Sequence, residues 1–140
     1  MIHFIIPGVP APKGSMRSVA RGVMVNALPT TKPWATLVAW HARQALAGKS
    51  PMLGPVSIHV KFFMPRLAAH YGKDGALKKG APLYPRTRPD IDKLTRNILD
   101  ALTLGGVYRD DGQVASVHAC KSYVHKADAR CEITICEIES

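Results

Sequence analysis

The chain has 140 residues and a formal net charge of +9 at neutral pH. This length favours one compact domain, spanning residues 1–140, that is large enough to bury a core of its own. The charge predicts attraction to a polyanion, for which DNA, RNA and an anionic membrane are the candidates. No apolar run approaches the roughly 18 residues that cross a bilayer, and the first residues lack the layout of a signal peptide. We therefore expect a cytoplasmic protein without a membrane partner.

The first half of the chain predicts three strands and one helix. Residues 2–6 are apolar and β-branched and indicate a buried strand, whereas residues 7–21 are rich in proline, glycine and basic side chains and indicate a basic loop. Residues 23–25 are expected to form a short strand that closes against the first. A helix is predicted over residues 31–47, and a strand with alternating apolar side chains over residues 56–63.

The first helix carries its own boundary and core signals. Thr31 can cap it, because threonine oxygens accept hydrogen bonds from first-turn amides. Trp34 and Trp40 are both expected in the core rather than on the surface as stacking platforms for bases, and His41 is expected as a core histidine.

The second half begins with a connection over residues 66–88 that is polar, basic and long for a compact domain; such loops are usually functional or disordered. A second helix is predicted over residues 90–104, ended by Gly105-Gly106. Residues 114–124 and 130–138 are predicted to close the domain as an antiparallel hairpin. The order of elements predicts an α/β fold, with a mixed β-sheet and two main helices packed on it.

The three cysteines, Cys120, Cys131 and Cys136, form no CxxC pair. Their odd number and their spacing argue against a disulfide framework and against a zinc site. Cys131 and Cys136 fall in the last predicted strand. We therefore expect buried free thiols.

Acidic side chains are crowded into one short stretch of this basic chain, at Asp90, Asp92, Asp100, Asp110 and Asp111. A divalent cation would explain such a cluster. Magnesium prefers carboxylate oxygens, takes few of them from the protein, and completes its octahedron with water and substrate phosphate.

The start of the second helix decides whether Asp90 and Asp92 can converge on one ion. Residues two apart within a helix diverge, so convergence requires an extended Asp90, with the helix beginning at that residue or just after it. The alternative is that Thr87 caps the helix and places Asp90 three residues in. Pro89 argues against this alternative, because it disfavours a helical conformation at Arg88.

Asp111 follows the same helix, which would be ~22 Å long. Contact between Asp111 and Asp90 therefore requires the chain to double back over about 25 Å of extended segment. Arg96 lies on one helical face with Asp92 and Asp100. It is expected to hold Asp92 or to stabilise the transition state, while Asp100 is expected to form a salt bridge with it.

Three runs of sequence together resemble the RusA family of Holliday junction resolvases. The most specific is Arg88-Pro89-Asp90-Ile91-Asp92-Lys93-Leu94 with Leu99-Asp100-Ala101-Leu102. It is followed by Tyr108-Arg109-Asp110-Asp111-Gly112-Gln113-Val114, and it is preceded by the weaker run Pro10-Ala11-Pro12-Lys13-Gly14. The resemblance extends over nearly the whole chain and implies a RusA-like fold.

The resemblance implies a homodimer that makes paired symmetric cuts in four-way DNA junctions. It also implies magnesium as the cofactor, with manganese as an alternative ion. The metal ligands it implies are Asp90, Asp92 and Asp111. The family's functional lysine falls on Arg96, which is a departure because the two side chains are not interchangeable. Lys93 is the nearby cation that could share the role.

Basic side chains of the N-terminal loop and of the connection before the second helix are the candidate contacts to flanking DNA phosphates. The net charge favours phosphate contacts over a merely solvated surface. They are Lys13, Arg17, Lys78, Lys79, Arg86 and Arg88.

Two alternatives to a junction resolvase stay open. One is a non-catalytic basic nucleic-acid-binding protein in which the aspartates only cap and turn. The other is a metal-dependent nuclease that acts on other branched DNA, on flaps or on RNA. Proteins of this resemblance are often phage-borne, so a bacterial, phage or prophage source is an expectation.

Overall fold

The computed structural model describes residues 1–14, 16–20, 23–26 and 29–139, and between residues 16 and 26 it describes the backbone alone. The strands are β1 (Ile2–Pro7), β2 (Met16–Ala20), β3 (Val23–Asn26), β4 (Val56–Pro65), β5 (Val114–Val124) and β6 (Arg130–Glu137). The main helices are α1 (Thr31–Leu46) and α2 (Ile91–Leu104). Single 3₁₀ turns lie at Ala68–His70, Asp111–Gln113 and Lys126–Asp128.

Four strands form the main sheet in the order β1-β6-β4-β5. Strand β6 pairs antiparallel with both β1 and β4, whereas β4 and β5 are parallel. Parallel neighbours need a crossover connection, usually a helix, and α2 lies within this one. The predicted α/β fold with a mixed sheet and two main helices is therefore confirmed.

One face of the sheet is buried by the helices. Alternate residues of β4 and β6 point to this face and are fully buried, as are the inner residues of the helices. The side chains that join the two layers include Ile58, Val60, Phe62, Ile133 and Ile135 of the sheet and Val38, Leu94, Ile98 and Leu102 of the helices. Because the apolar stripe of α2 packs on the sheet, the polar side of this helix, with Asp92 and Arg96, faces away from the core.

The predicted hairpin of the last two strands is wrong, because β4 lies between β5 and β6. The burial of the strands gives the physical reason. Cys131, Ile133 and Ile135 of β6 are completely buried, as suits a strand with neighbours on both sides, whereas Val117 of β5 is 41% exposed, as suits an edge strand.

The first half of the chain departs from prediction in its pairing. Strand β3 pairs with β2 in a separate two-stranded sheet and does not close against β1, whose partner is β6. The predicted loop over residues 7–21 therefore contains a strand, Met16–Ala20. Strand β4 also runs on to Pro65, two residues beyond its predicted end.

Helix α1 begins as predicted, but Thr31 does not cap it. Thr30 holds the cap position without a side-chain hydrogen bond, and the Thr31 hydroxyl donates to the Pro12 carbonyl at 2.7 Å. Trp34 is buried as expected, whereas Trp40 is 51% exposed, so its core assignment is wrong. His41 is half-buried, with its ring edge-on to that of Trp40.

The cysteines are free thiols, and only Cys131 is fully buried. Burial raises the pKa of the Cys131 thiol well above its ordinary value, which keeps the group protonated and unreactive. Cys136 is half-buried and Cys120 is exposed. Among the helices of the described residues, none is long and apolar enough to cross a membrane.

Asn97 ties α2 to the rest of the domain. Its side chain is 2% exposed, and its amide donates to the Ala11 carbonyl at 3.0 Å and to the Thr31 carbonyl at 3.1 Å. One side chain thus joins α2 to the segment after β1 and to the first residue of α1.

We expect Asn97→Ala to lower the free energy of unfolding by about 2 kcal/mol, because it leaves two buried carbonyls without this donor. Urea unfolding checks the value. Gln44→Ala on the exposed face of α1 is the control and should change stability by less than about 0.5 kcal/mol. Equal effects of the two substitutions would contradict the assignment.

Candidate active site

The polar side of α2 and the adjacent face of β5 enclose a shallow groove made of two adjoining hollows. The first hollow is lined by Asp92, Arg96 and Asp100 of α2, by Asp111, and by Val117 and Ala119 of β5. The second is lined by Arg86, Arg88, Asp90, Asp92 and Lys121. Asp92 and Ile91 line both hollows, so the groove runs without interruption past the start of the helix.

Asp90 stands at the N-cap of α2 with φ −71° and ψ 141°, which is extended backbone. The expectation of an extended Asp90 is therefore confirmed, and the alternative in which Thr87 caps the helix is wrong. Its carboxylate nevertheless accepts no hydrogen bond from the first-turn amides, all of which the structure describes. An aspartate at this position usually makes that bond, so the Asp90 carboxylate remains available to a ligand.

The chain doubles back after α2, as contact between the helix and Asp111 requires. Gly106 takes a positive φ of 77°, and the buried Tyr108 donates its hydroxyl to the Leu99 carbonyl at 3.1 Å. Burial raises the pKa of Tyr108 to about 12, so the phenol keeps the proton it donates. This return brings Asp111 beside Asp92 and Asp100, but Asp90 lies in the other hollow.

Asp110 and Asp111 have different environments within one turn. Asp110 Oδ1 accepts a hydrogen bond from the Gly112 amide at 2.9 Å, and this bond lowers the pKa of the Asp110 carboxyl. The pKa of Asp111 is raised, first by its hydrogen bond with the Asp110 carboxyl and then by slight desolvation and the charges of Asp110 and Asp100. Asp110 therefore holds the turn, and Asp111 is the carboxyl whose charge costs more to maintain without a cation.

Gln113 holds this turn in place, a role that the sequence did not suggest. Its Oε1 accepts from the amides of Arg109 and Asp110 at 2.8 and 3.1 Å, and its Nε2 donates to the carbonyls of Met52 and Gly54 at 2.9 and 3.0 Å. The position of Asp111 thus depends on four hydrogen bonds from one amide. The signal was an aspartate followed three residues later by glutamine, which is typical of a reciprocal cap.

Asp100 forms its ion pair with Lys13 and not, as predicted, with Arg96. Lys13 Nζ lies 2.5 Å from Asp100 Oδ2, and the Lys13 amide donates to the Lys93 carbonyl at 3.0 Å. Asp100 therefore serves to fix the segment after β1 on α2. Arg96 is left exposed in the hollow with Asp92 and Asp111.

The other predicted DNA contacts fall in three places. Arg86 and Arg88 line the second hollow beside Asp90. Lys78 and Lys79 are exposed on the connection between β4 and α2. Arg17 lies in β2, and its side chain is outside the described part of the structure.

Lys121 was missed by the sequence reading. It stands in β5, and its ammonium donates to the carbonyls of Thr87 and Pro89, both at 2.8 Å. The alternation along the strand could have identified it. Val117, Ala119 and Tyr123 point to the same side of β5 as Lys121, so a lysine stands among apolar and aromatic residues on the side that faces the helices.

The three aspartates that the sequence singled out lie along one groove but do not form a closed cage. Over residues 1–14 and 29–139, whose side chains are described, no three His, Cys, Asp or Glu side chains converge closely enough to hold a metal ion. Pairs are available instead, with Asp90 and Asp92 in one hollow and Asp92 and Asp111 in the other. Exposed carboxylate pairs suit magnesium, which typically takes one or two carboxylates and keeps its waters.

Comparison with known proteins gives two results. The family described as Endodeoxyribonuclease RusA matches residues 7–136. The chain is also similar to the uncharacterized protein YqaN of Bacillus subtilis (strain 168), with 29% identity over 146 residues, which covers 99% of this chain and 98% of that protein.

Gln113→Ala should loosen the Asp110–Asp111 turn. Loss of the acceptor for the two amides at Arg109 and Asp110 is expected to speed their hydrogen exchange roughly fivefold, since each bond contributes about 1 kcal/mol. Exchange measured by NMR checks this, with the amides of β6 as the internal reference. A uniform acceleration that includes β6 would mean global destabilisation and would contradict a local role.

Proposed function

Since the chain belongs to the RusA endodeoxyribonuclease family, we propose that it is a divalent-metal-dependent nuclease that resolves four-way DNA junctions. The observation that carries this proposal is the Asp90 carboxylate, which stands at a helix N-cap but caps nothing. It opens into a groove with Asp92, and the same groove continues to Asp111.

Magnesium, or manganese in its place, is the cofactor that these residues suit best. Asp90, Asp92 and Asp111 would hold it, in pairs that leave positions for water and a substrate phosphate. When bound, such an ion activates water and neutralises charge on a phosphodiester.

The cations of the groove have separate tasks in this proposal. Arg96 shares a hollow with Asp92 and Asp111, so its guanidinium can donate to the oxygens of a phosphodiester there and stabilise the charge that develops during hydrolysis. Lys93 is half-buried and its backbone is tied to Lys13, which makes it the lesser contributor. Arg86 and Arg88 flank Asp90 and would orient the phosphates that enter the second hollow.

The connection between β4 and α2 would extend this surface. It is fixed to the end of β5, where the Tyr123 amide donates to the Leu83 carbonyl at 2.9 Å and the Arg66 guanidinium lies over the Tyr123 ring, 5.6 Å from its centre. Lys121 stands two residues before Tyr123 and beside Asp90. The basic residues of the connection therefore belong to the Asp90 end of the groove, where DNA entering it would pass.

The substrate in this proposal is branched DNA, and a homodimer would place two grooves for paired symmetric cuts on a two-fold junction. The competing function is a non-catalytic DNA-binding protein whose aspartates only cap and turn. Asp110 fits that description, because it caps its turn, but Asp90 does not. This difference favours the nuclease.

We expect Asp90→Asn, Asp92→Asn and Asp111→Asn each to slow junction cleavage at least about a hundredfold, because each removes a carboxylate from an ion that contributes several kcal/mol to catalysis. Gel assays on a labelled four-way junction, with magnesium and with EDTA, check this. Junction binding measured in calcium should persist.

Asp128→Asn, in the exposed turn before β6, is the matched control and should cut at the wild-type rate. Tight junction binding by the wild type without cleavage in magnesium or manganese would overturn the nuclease in favour of the non-catalytic function. Faster cleavage of flaps or of RNA would instead identify a different nuclease substrate.

Replacing both Lys78 and Lys79 by alanine should weaken DNA binding and reduce the slope of log K against log salt by about 1.8, if each lysine neutralises one phosphate. Binding titrations at several salt concentrations check the slope. Lys49→Ala is the control, because Lys49 follows α1, whose end contacts the far end of α2 through Arg43 and Leu104. An unchanged slope in the double variant would remove the connection from the DNA surface.

A further inference from the structure

Lys121 lies on the side of β5 that faces the helices, where an apolar residue is expected. Its register partner in β4 is Phe62, which is 1% exposed and lies on the helix side of the sheet. Paired residues of neighbouring strands point to the same face, so Lys121 also points towards the helices. Lys121 is half-buried, and a charged group that loses water on that face needs hydrogen-bond partners in the protein.

That compensation comes from one short backbone segment. An ammonium has three hydrogens to donate, and two of those of Lys121 are directed at the carbonyls of Thr87 and Pro89, each at 2.8 Å. Asp90 follows Pro89 directly and lines the same hollow as Lys121. The lysine therefore holds the residues that set the direction in which the Asp90 carboxylate leaves the backbone.

The other contacts that fix this part of the connection lie further from Asp90. Arg66 donates to the Pro82 carbonyl at 2.7 Å, and the Tyr123 amide donates to the Leu83 carbonyl at 2.9 Å. Between Leu83 and the first turn of α2, the bonds that the structure describes from the sheet to this backbone are those of Lys121. The other described support for this segment is packing, since Pro85 and Pro89 line a hollow with Met64 and Leu67.

We infer that Lys121 is a positioning residue for the Asp90–Asp92 end of the groove. It anchors the Thr87–Pro89 backbone to β5 and thereby presents an extended, uncapped Asp90 to the divalent ion. This role rests on the proposed function for its consequence in cleavage. The anchoring itself concerns only the chain and can be measured without DNA.

The test compares the wild type with Lys121→Met, Lys121→Arg and a control variant. Methionine keeps an unbranched stem of similar length but cannot donate, whereas arginine keeps the charge and several donors for the two carbonyls. Lys126→Met, an exposed lysine in the turn after β5, is the control. The readouts are the affinity for manganese alone, measured by EPR of the free ion, exchange of the amides of residues 90–92, and the thermal midpoint.

We expect Lys121→Met to weaken manganese binding about tenfold, in the range typical when a residue that orients metal ligands is lost, with faster amide exchange at residues 90–92. Lys121→Arg should recover most of the affinity, and Lys126→Met should match the wild type. Junction cleavage by Lys121→Met should need correspondingly more manganese and should approach the wild-type rate when the ion is saturating.

Manganese affinity and exchange in Lys121→Met equal to those of the wild type would overturn the positioning role. If the methionine variant does not fold, Lys121→Leu takes its place under the same criterion, since leucine also cannot donate and suits the apolar face of β5. A wild-type protein that binds manganese but cuts no junction would defeat the proposed function alone, and the affinity and exchange measurements would still decide the role of Lys121.

Discussion

The parallel pairing of β4 with β5 is the constraint on which the rest of the structure depends. Two parallel neighbours cannot be joined by a tight turn, so the chain must cross the sheet between them, and α2 makes that crossing. The crossing fixes both ends of the groove at once. The start of α2 comes to lie at the end of β5, beside Lys121, and the return from α2 delivers Asp111 to the start of β5. The distribution of carboxylates along the groove is thus a result of topology.

Electrostatics then separates the acidic residues into two kinds. Lys13 neutralises Asp100, and the Gly112 amide engages Asp110, so both serve the fold. Among the described residues, Asp90, Asp92 and Asp111 form no ion pair. Carboxylates that form no ion pair along an open groove, in a chain with a net charge of +9, are the groups that the proposed function assigns to a divalent ion.

Local patterns predicted what is determined locally. The alternation along β4 and β6 identified their buried residues, and Pro89 before Asp90 located the start of α2 within one residue.

The pairing of strands was harder to predict, because β5 and β6 are adjacent in sequence and separated in the sheet by β4. The partner of Asp100 is 87 residues away, so the closer Arg96 looked more suitable. The core prediction for Trp40 was wrong for a related reason, since distant parts of the chain decide which side of α1 becomes covered. The strand alternation places Lys121 on the helix side of β5. Its partners could not be predicted, because they are backbone carbonyls of a segment more than thirty residues away.

The place of β6 has a consequence for how the protein forms. This strand follows the other five described strands along the chain, yet it lies between β1 and β4 and pairs with both. The first strand therefore has no place in the sheet until the last one emerges, and most of the pairing joins distant parts of the chain. Chains dominated by such distant contacts fold slowly. Until β6 joins the sheet, β1 has no partner in it and β4 can pair only with β5. The interval before β6 enters the sheet is therefore the period in which the unpaired edges of β1 and β4 are most exposed to aggregation.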